Sequence, residues 1–349
     1  MYKFRREVIS AVREKGEVFF CAPEKGNVEY WKENTDGFIP ASFDRRGTNP
    51  LSDIKLYAFY KGLLEKVKPD IVFTYTVKPN VYAGMACASK GIPYIANVTG
   101  MGDALENGGL LSKVTKMLYK KGLRKAKCVF FQNKSNQEDF IKNGIVSDKT
   151  RVIPGSGVNL EGNCFEPYPE ESDHVRFLFA GRLVKDKGIN ELIKAAATVG
   201  KKYENFTVEF IGGGSEEYKD KLNNAGERIK YSGYQSDVHP FYKKSHCIVL
   251  PSYHEGTSNV LLEAQATGRP VITTRVPGCQ ETFDEGITGY GCDAKSAESL
   301  ADAMIRFIET PYEKRAEMGK AARKKMEQEY DRKRVIDAYL EETEKALKE

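Results

Sequence analysis

Short apolar runs alternate along the chain with longer stretches of helical period. In the first half, the runs predict strands near 17–22, 70–75, 93–97 and 128–132, separated by helices near 52–67, 79–90 and 110–126. In the second half, they predict strands near 175–180, 206–211, 247–250 and 270–274, with helices near 188–199, 237–244, 258–268 and 296–309. This alternation is typical of parallel-sheet α/β architecture. It predicts two doubly wound, Rossmann-like domains facing a cleft, with ligands at the carboxyl ends of the strands.

The domain boundary is predicted from a stretch without any period. Residues 159–174 are acidic, include two prolines and predict a linker. The first domain then spans 1–158 and the second spans 175–331. Residues 332–349 predict an amphipathic helix, with Val335, Ile336, Tyr339 and Leu340 on one face, that closes the second domain or packs back on the first.

The chain opens in a helical pattern, although a doubly wound domain normally opens with a strand. Phe4, Val8, Ile9 and Val12 form an apolar stripe. We therefore expect the first domain to lack its opening β-strand. The sequence is interpreted as a truncated or mis-started version, with lower stability and turnover, because losing a central strand exposes backbone edges.

Composition narrows the class of protein. The 349 residues carry a formal net charge of +5, which is too mild to predict a nucleic-acid binder. No run of 18 apolar residues predicts a transmembrane helix, and the first residues lack the apolar core of a secretory signal. The seven cysteines are odd in number and scattered, mostly within apolar runs. They predict reduced thiols in a cytoplasmic protein.

Two glutamates flank a turn that follows the predicted strand 247–250. Glu255 lies in the turn and Glu263 lies inside the helix that follows. Between them, the backbone N–H groups of 256–260 are predicted to be free at a helix N-terminus, which suits a diphosphate. The alternative is that Glu255 is a first-turn acid and Glu263 a solvated helix residue.

A second loop between a strand and a helix carries two cations. Gly181, Arg182 and Lys187 follow the strand 175–180, so a bidentate guanidinium and a compact ammonium could clamp a phosphate. Glycines 212–214 follow the next strand and permit close backbone approach to a ligand. The alternatives are a solvent-facing basic loop and an ordinary tight turn.

In this order, the motifs resemble the retaining, nucleotide-sugar-dependent glycosyltransferases of the GT-B fold, in family 4. The resemblance lies in the pair Glu255 and Glu263, in Gly181, Arg182 and Lys187, and in the segment 256–262. Three further segments are similar to the branch that extends polyprenyl-diphosphate-linked saccharides for bacterial surface glycans or glycoproteins. They are 97–102, 130–141 and 154–161.

The resemblance implies residue roles. Arg182 and Lys187 would hold the donor diphosphate and stabilise the leaving group, Glu255 would contact sugar hydroxyls, and Glu263 would accept hydrogen bonds from the ribose. Further donor-binding positions are Gly181, Gly213, Tyr234 near the base, Gly256, Thr257, Ser258, Asn259 and Val260. Acceptor-side positions are Thr99, Gly100, Met101 and Gly102, with Thr99 standing where many relatives carry a histidine.

Neither a metal nor another cofactor is expected. The sequence has no Asp-x-Asp, and its four histidines show no metal spacing with the cysteines. His254 precedes Glu255 but is interpreted as structural rather than as a base. The family is assigned a front-face mechanism, which needs no protein nucleophile.

Residues 113–127 contain seven basic side chains and no acidic one. A basic amphipathic helix can lie on an anionic membrane surface. The alternative is a solvated helix whose apolar side, Val114, Met117 and Leu118, packs on the sheet.

The residue patterns and the family resemblance together predict a cytoplasmic enzyme that is peripheral on the inner face of the plasma membrane. It would act in the synthesis of bacterial surface polysaccharide, such as capsule or exopolysaccharide, or of glycoprotein. It would move a hexose or N-acetylhexosamine from a UDP-sugar to a polyprenyl-diphosphate-linked glycan. Two alternatives remain: a GT-B nucleotide-sugar epimerase, and a non-catalytic nucleotide-sugar-binding partner subunit.

Overall fold

Contacts in a computed structural model divide the chain into two units. Unit 1 comprises Met1–Ser156 and Lys333–Glu349, and unit 2 comprises Gly157–Arg332. The structure describes residues 2–24, 26–41, 49–100 and 109–348. The unit boundaries lie within two residues of the predicted domain ends, and the predicted linker 159–174 belongs to unit 2.

Unit 1 is a parallel α/β structure. Its strands are β1 (Phe19–Ala22), β2 (Gly37–Pro40), β3 (Val72–Tyr75), β4 (Tyr94–Val98), β5 (Cys128–Phe131) and β6 (Thr150–Val152). Its helices are α1 (Tyr2–Arg13), α2 (Val28–Asn34), α3 (Pro50–Val67), α4 (Gly84–Lys90) after a π turn at Pro79–Ala83, α5 (Gly109–Leu123) and α6 (Lys134–Lys142). The terminal helix α13 (Arg332–Lys348) completes the unit from the other end of the chain.

The strands of unit 1 form two sheets within the described residues. The chain opens in α1, as predicted, and β1 pairs in parallel with β2. The larger sheet has the order β3-β4-β5-β6, also parallel. Between described residues, no backbone hydrogen-bond ladder connects the two sheets.

Apolar groups cover both faces of the larger sheet, which explains why its strands read as continuous apolar runs. On one face, Tyr94 and Val129 pack with residues of α3, α4 and α5. On the other face, Ile95 and Phe130 pack with Val8 of α1 and with Tyr339 of α13. Helix α13 therefore packs on unit 1, one of the two arrangements that the sequence allowed.

Unit 2 is a six-stranded parallel sheet with the order β12-β11-β10-β7-β8-β9. Its strands are β7 (Val175–Ala180), β8 (Phe206–Ile211), β9 (Ile229–Tyr231), β10 (Cys247–Leu250), β11 (Val271–Thr274) and β12 (Gly289–Cys292). Its helices are α7 (Ile189–Val199), α8 (Glu216–Asn223), α9 (His239–Lys244), α10 (Asn259–Ala266), α11 (Ala297–Glu309) and α12 (Tyr312–Glu329).

The predicted fold class, two Rossmann-like α/β domains, is confirmed. The eight predicted strands all form, but the pattern missed β2, β6, β9 and β12. These strands are only three or four residues long. The middle residue of β6 and of β9 is a cation, and β2 and β12 contain glycine, so none forms a clear apolar run. Helix α12 was missed because it is mostly charged and buries only a narrow stripe.

We expect Tyr339→Phe to destabilise unit 1. The Tyr339 hydroxyl accepts a hydrogen bond from Asn97 Nδ2 at 2.7 Å, and the Asn97 side chain is buried. Losing the hydroxyl leaves a buried donor unsatisfied, which costs about 1–3 kcal/mol in the free energy of unfolding. Trp31, the single tryptophan, lies in unit 1, so its fluorescence during urea unfolding measures the change. Tyr57→Phe, on the partly buried side of α3, is the matched control and should change the free energy by less than about 0.5 kcal/mol.

Candidate functional site

The strands of unit 2 are parallel, but their order in the sheet reverses at one point. From β7 the chain proceeds outward to β8 and β9, and it then returns to the other side of β7 as β10. In open α/β sheets, a crevice forms at the carboxyl ends of the strands where the order reverses, and ligands bind there. The loops after β7 and β10 meet at this point, and they carry the residues that the sequence singled out.

Lys187 and Glu255 form an ion pair across the switch point. Lys187 Nζ donates to Glu255 Oε1, and the Ser252 hydroxyl donates to the same oxygen at 2.9 Å. The two charged side chains are 18% and 15% exposed. They are therefore largely desolvated yet open to a ligand, and each holds the other in position.

Backbone packing explains why these two loops lie so close. Gly188 has φ of 69°, and a Cβ there would collide with the carbonyl oxygen of Pro251. Beside this contact, Tyr253 N donates to Asp186 O at 2.9 Å. Only glycine permits this close approach in a left-handed conformation. The sequence analysis assigns Lys187 and Glu255 to one donor site but does not predict that they contact each other.

Glycines also align the loops after β7 and β8. Leu183 N donates to Gly213 O at 2.8 Å, and Gly212 N donates to Gly233 O at 2.8 Å. A Cβ on Gly213 would lie 3.9 Å from the ring of Tyr234. The structure thus brings Gly181, Gly213 and Tyr234 to adjacent loops at one edge of the sheet. Arg182 is exposed on the same edge, and the Tyr234 side chain is 76% exposed.

Helix α10 begins as the sequence predicts, but one amide at its start is engaged. The Ser258 hydroxyl caps the helix by accepting from Leu261 N. Ser258 N donates to Gly278 O at 2.9 Å. The prediction that the N–H groups of 256–260 are all free is therefore wrong for Ser258. Thr257 is buried beside it, while Asn259 and Val260 are half-buried.

Glu263 lies buried in the fifth position of α10, at 6% exposed. The alternative of a solvated helix residue is wrong. The buried Tyr242 hydroxyl on α9 donates to Glu263 Oε2 at 3.3 Å. Burial, followed by the nearby Glu263 carboxylate, holds the pKa of Tyr242 well above its ordinary value, so the hydroxyl remains a donor. No sequence pattern predicts Tyr242 as a partner of Glu263.

The acceptor-side positions are only partly within the described residues. Thr99 and Gly100 follow β4 in unit 1 and are half-buried. Met101 and Gly102 lie outside the described residues. His254 is half-buried next to Glu255, and its interpretation as structural stays a prediction.

Two family models together match nearly the whole chain. The model described as "Glycosyltransferase Family 4" matches residues 7–161, and the model described as "Glycosyl transferases group 1" matches residues 163–325. The division between them falls near the boundary between the two units.

Two curated proteins are similar over most of their length. An N,N'-diacetylbacillosaminyl-diphospho-undecaprenol alpha-1,3-N-acetylgalactosaminyltransferase of Campylobacter jejuni is 27% identical, covering 100% of this chain and 96% of that protein. A UDP-Gal:alpha-D-GlcNAc-diphosphoundecaprenol alpha-1,3-galactosyltransferase of Escherichia coli is 28% identical, covering 76% of this chain and 73% of that protein. Among solved structures, Anabaena Alr3699/HepE in complex with UDP-glucose superposes with a TM-score of 0.77 at 19% identity, covering 98% of this chain and 94% of that one.

We expect Gly188→Ala to destabilise unit 2 by separating the loops that carry Lys187 and Glu255. A left-handed alanine costs about 1–2 kcal/mol, and the overlap with Pro251 adds about 1–3 kcal/mol. Gly286→Ala is the matched control, because Gly286 has φ of 71° with open space around its Cα. Urea unfolding followed by far-ultraviolet circular dichroism measures both variants. Equal losses in the two variants would contradict close packing as the requirement at Gly188.

Proposed function

Because the chain belongs to the group 1 and family 4 glycosyltransferases, we propose that it transfers a hexose or N-acetylhexosamine from a UDP-sugar to a polyprenyl-diphosphate-linked glycan. The observation that carries the proposal is the pairing of Lys187 with Glu255 at the switch point of unit 2, with Glu263 buried in the helix that follows the same loop. A nucleotide-sugar needs a cation for its diphosphate, a hydrogen-bond acceptor for its sugar hydroxyls and a second carboxylate for its ribose.

The donor would lie along the carboxyl edge of β7, β8 and β10. Arg182 is exposed there, so its guanidinium can form bidentate hydrogen bonds to a diphosphate oxygen pair. Lys187 adds a compact cation, and Glu255 accepts hydrogen bonds from sugar hydroxyls. Glu263 accepts hydrogen bonds from the ribose, the role that the family resemblance implies, while the Tyr242 hydroxyl orients its carboxylate.

Negative charge grows on the diphosphate as its bond to the sugar breaks. Arg182 and Lys187 stabilise that charge, and they are already positioned when it develops. The acceptor hydroxyl oxygen forms the new bond to the anomeric carbon on the face that the diphosphate leaves. Its proton passes to a donor phosphate oxygen, and UDP departs with the electron pair of the broken bond. The configuration is therefore retained without a protein nucleophile.

The donor and acceptor classes are supported by the relatives. The Escherichia coli relative is named for UDP-Gal as its donor, and both relatives are named for acceptors linked to diphospho-undecaprenol. These relatives support a UDP-sugar and a lipid-linked acceptor for this chain.

A lipid-linked acceptor requires access to a membrane, and α5 provides a suitable surface. Val114 and Met117 are exposed on this helix, with Lys113, Lys120 and Lys121 exposed around them. The alternative in which Val114 and Met117 pack on the sheet is wrong; Leu118 alone of the three packs inward. An exposed apolar pair bordered by lysines is the pattern of an interfacial helix. No helix among the described residues combines the length and apolar character needed to cross a bilayer.

We expect the protein to bind UDP, and Arg182→Ala and Glu263→Ala each to weaken the binding by about 1–3 kcal/mol, because each removes charged hydrogen bonds. Isothermal titration calorimetry measures the affinities. Lys185→Ala is the matched control, since Lys185 is exposed on the same loop as Arg182 and has no predicted role. Glu263→Gln keeps the shape of the buried side chain and tests the charge alone.

Turnover separates the proposed function from its alternatives. With UDP-sugars and a polyprenyl-diphosphate-linked acceptor, the expected products are UDP and an extended glycan that keeps the anomeric configuration. Release of UDP with a free rearranged sugar would indicate an epimerase instead. UDP binding without turnover on any acceptor tried would indicate a partner subunit.

We expect Lys120→Gln combined with Lys121→Gln to weaken binding to anionic vesicles about tenfold or more, because each cation near the headgroups contributes on the order of 1 kcal/mol. Vesicle flotation at fixed salt measures the bound fraction. Lys320→Gln with Lys324→Gln is the matched control, since these two exposed lysines lie on α12 of unit 2. Equal loss in both double variants would show that net charge, rather than the surface of α5, governs the binding.

A further inference from the structure

Three side chains of different chemistry meet in unit 2, outside the predicted donor site. They are Cys164, Glu166 and His239, called here the linker cluster. The distances are 3.8 Å from Cys164 Sγ to His239 Nε2, 3.9 Å from Cys164 Sγ to Glu166 Oε1, and 3.1 Å from His239 Nε2 to Glu166 Oε1. Within the described ranges, this is the one group of three such residues whose ligand atoms converge in this way.

These distances match the edges of a tetrahedral metal site. Zinc binds thiolate sulfur at about 2.3 Å, imidazole nitrogen at about 2.0 Å and carboxylate oxygen at about 2.1 Å. At tetrahedral angles, those bond lengths place the ligand atoms about 3.4–3.6 Å apart. Each observed distance differs from that by only a few tenths of an ångström, so small side-chain rotations suffice to bind a metal.

We propose that the linker cluster binds Zn²⁺ through Cys164 Sγ, Glu166 Oε1 and His239 Nε2. Sulfur, imidazole and carboxylate ligands together favour zinc over the hard cations Mg²⁺ and Ca²⁺, which prefer oxygen alone. A water molecule would fill the fourth position. Binding releases the thiol proton of Cys164 and requires the neutral imidazole of His239 to carry its proton on Nδ1, so that the Nε2 lone pair binds the metal. The ion then joins the segment 164–166 to α9.

The backbone of the linker cluster is already fixed. Glu166 N donates to Thr267 O at 3.1 Å. The fully buried Arg269 donates to Glu166 O at 3.0 Å and to Pro167 O at 2.8 Å. The ring of Phe165 lies so close to Gly268 that a Cβ there would overlap it. Two ligands therefore sit on a rigid segment, which lowers the ordering entropy that metal binding must overcome.

A neighbouring lysine orients the Glu166 carboxylate. Lys243 donates to Glu166 Oε2 at 3.0 Å, which leaves Oε1 directed at the other two ligands. A hydrogen-bonded carboxylate is typical of metal sites, since such partners orient the ligand.

Two of the proposed ligand atoms, Cys164 Sγ and His239 Nε2, are accessible to a metal ion. Cys164 is the exposed cysteine of the seven, and five of the others are buried. His239 Nδ1 is buried, so Nε2 is the nitrogen open to a ligand. The sequence missed the cluster because 75 residues separate Cys164 from His239, and no short spacing joins them.

The test uses Co²⁺ as a spectroscopic probe for the site. Chelator-treated full-length protein without a histidine tag is titrated with Co²⁺, and the expected result is one ion per chain with a thiolate charge-transfer band and intense tetrahedral d–d bands. Zn²⁺ should displace the cobalt and abolish these bands. Cys164→Ser should remove the charge-transfer band, and His239→Gln should weaken binding tenfold or more.

Matched variants separate ligation from nonspecific binding. Cys21→Ser removes a half-buried cysteine of unit 1 and should leave the cobalt spectrum unchanged. Lys243→Ala keeps all three ligands and should keep the charge-transfer band. Zn²⁺ should also protect Cys164 from alkylation by iodoacetamide in the wild-type protein. A spectrum without thiolate bands, or equal cobalt binding by Cys164→Ser, would overturn the proposal and leave an ion-pair cluster only.

Discussion

The loop after β7 must lie against the loop after β10, and the organisation of unit 2 depends on this constraint. The order of the parallel strands reverses between β7 and β10, and a crevice forms at their carboxyl ends. The close contact between Gly188 and the Pro251 carbonyl holds the two loops together, and Lys187 lies within hydrogen-bonding distance of Glu255. Two opposite charges separated by 68 residues thereby become one group.

A pair of this kind suits a charged ligand better than it suits stability. Removing two charges from water is unfavourable, and a partly buried pair recovers little more than that cost. In the function proposed above, the pair acts through orientation, because each side chain holds the other in position for a diphosphate and a sugar hydroxyl. Glu263 is more deeply buried than this pair. The Tyr242 hydroxyl donates to one of its carboxylate oxygens and thereby orients the side chain.

The predicted linker segment, which belongs to unit 2, is fixed there by a different interaction. Arg269 lies fully buried and donates to the carbonyls of Tyr242, Lys243, Glu166, Pro167 and Gly268. Burial lowers its pKa to about 10, so the guanidinium stays charged at neutral pH and satisfies five carbonyl groups at once. The arginine thus links the segment at 166–167 to α9, the helix that also carries Tyr242 and His239. A metal bound at the linker cluster would strengthen a connection that hydrogen bonds already make.

The sequence by itself determined the elements whose signal is local. Strands such as β5 and β10 are buried on both faces and therefore appear as unbroken apolar runs, and Ser258 caps α10 through an atom three residues from its partner. The tertiary structure decided what depends on residues distant in the chain. It paired Lys187 with Glu255 and Tyr242 with Glu263, and it engaged the Ser258 amide with Gly278. It also turned Val114 and Met117 outward while burying Ser112 and Thr115 on the same helix. Periodicity shows which residues share a face, but only packing decides which face a neighbouring element covers.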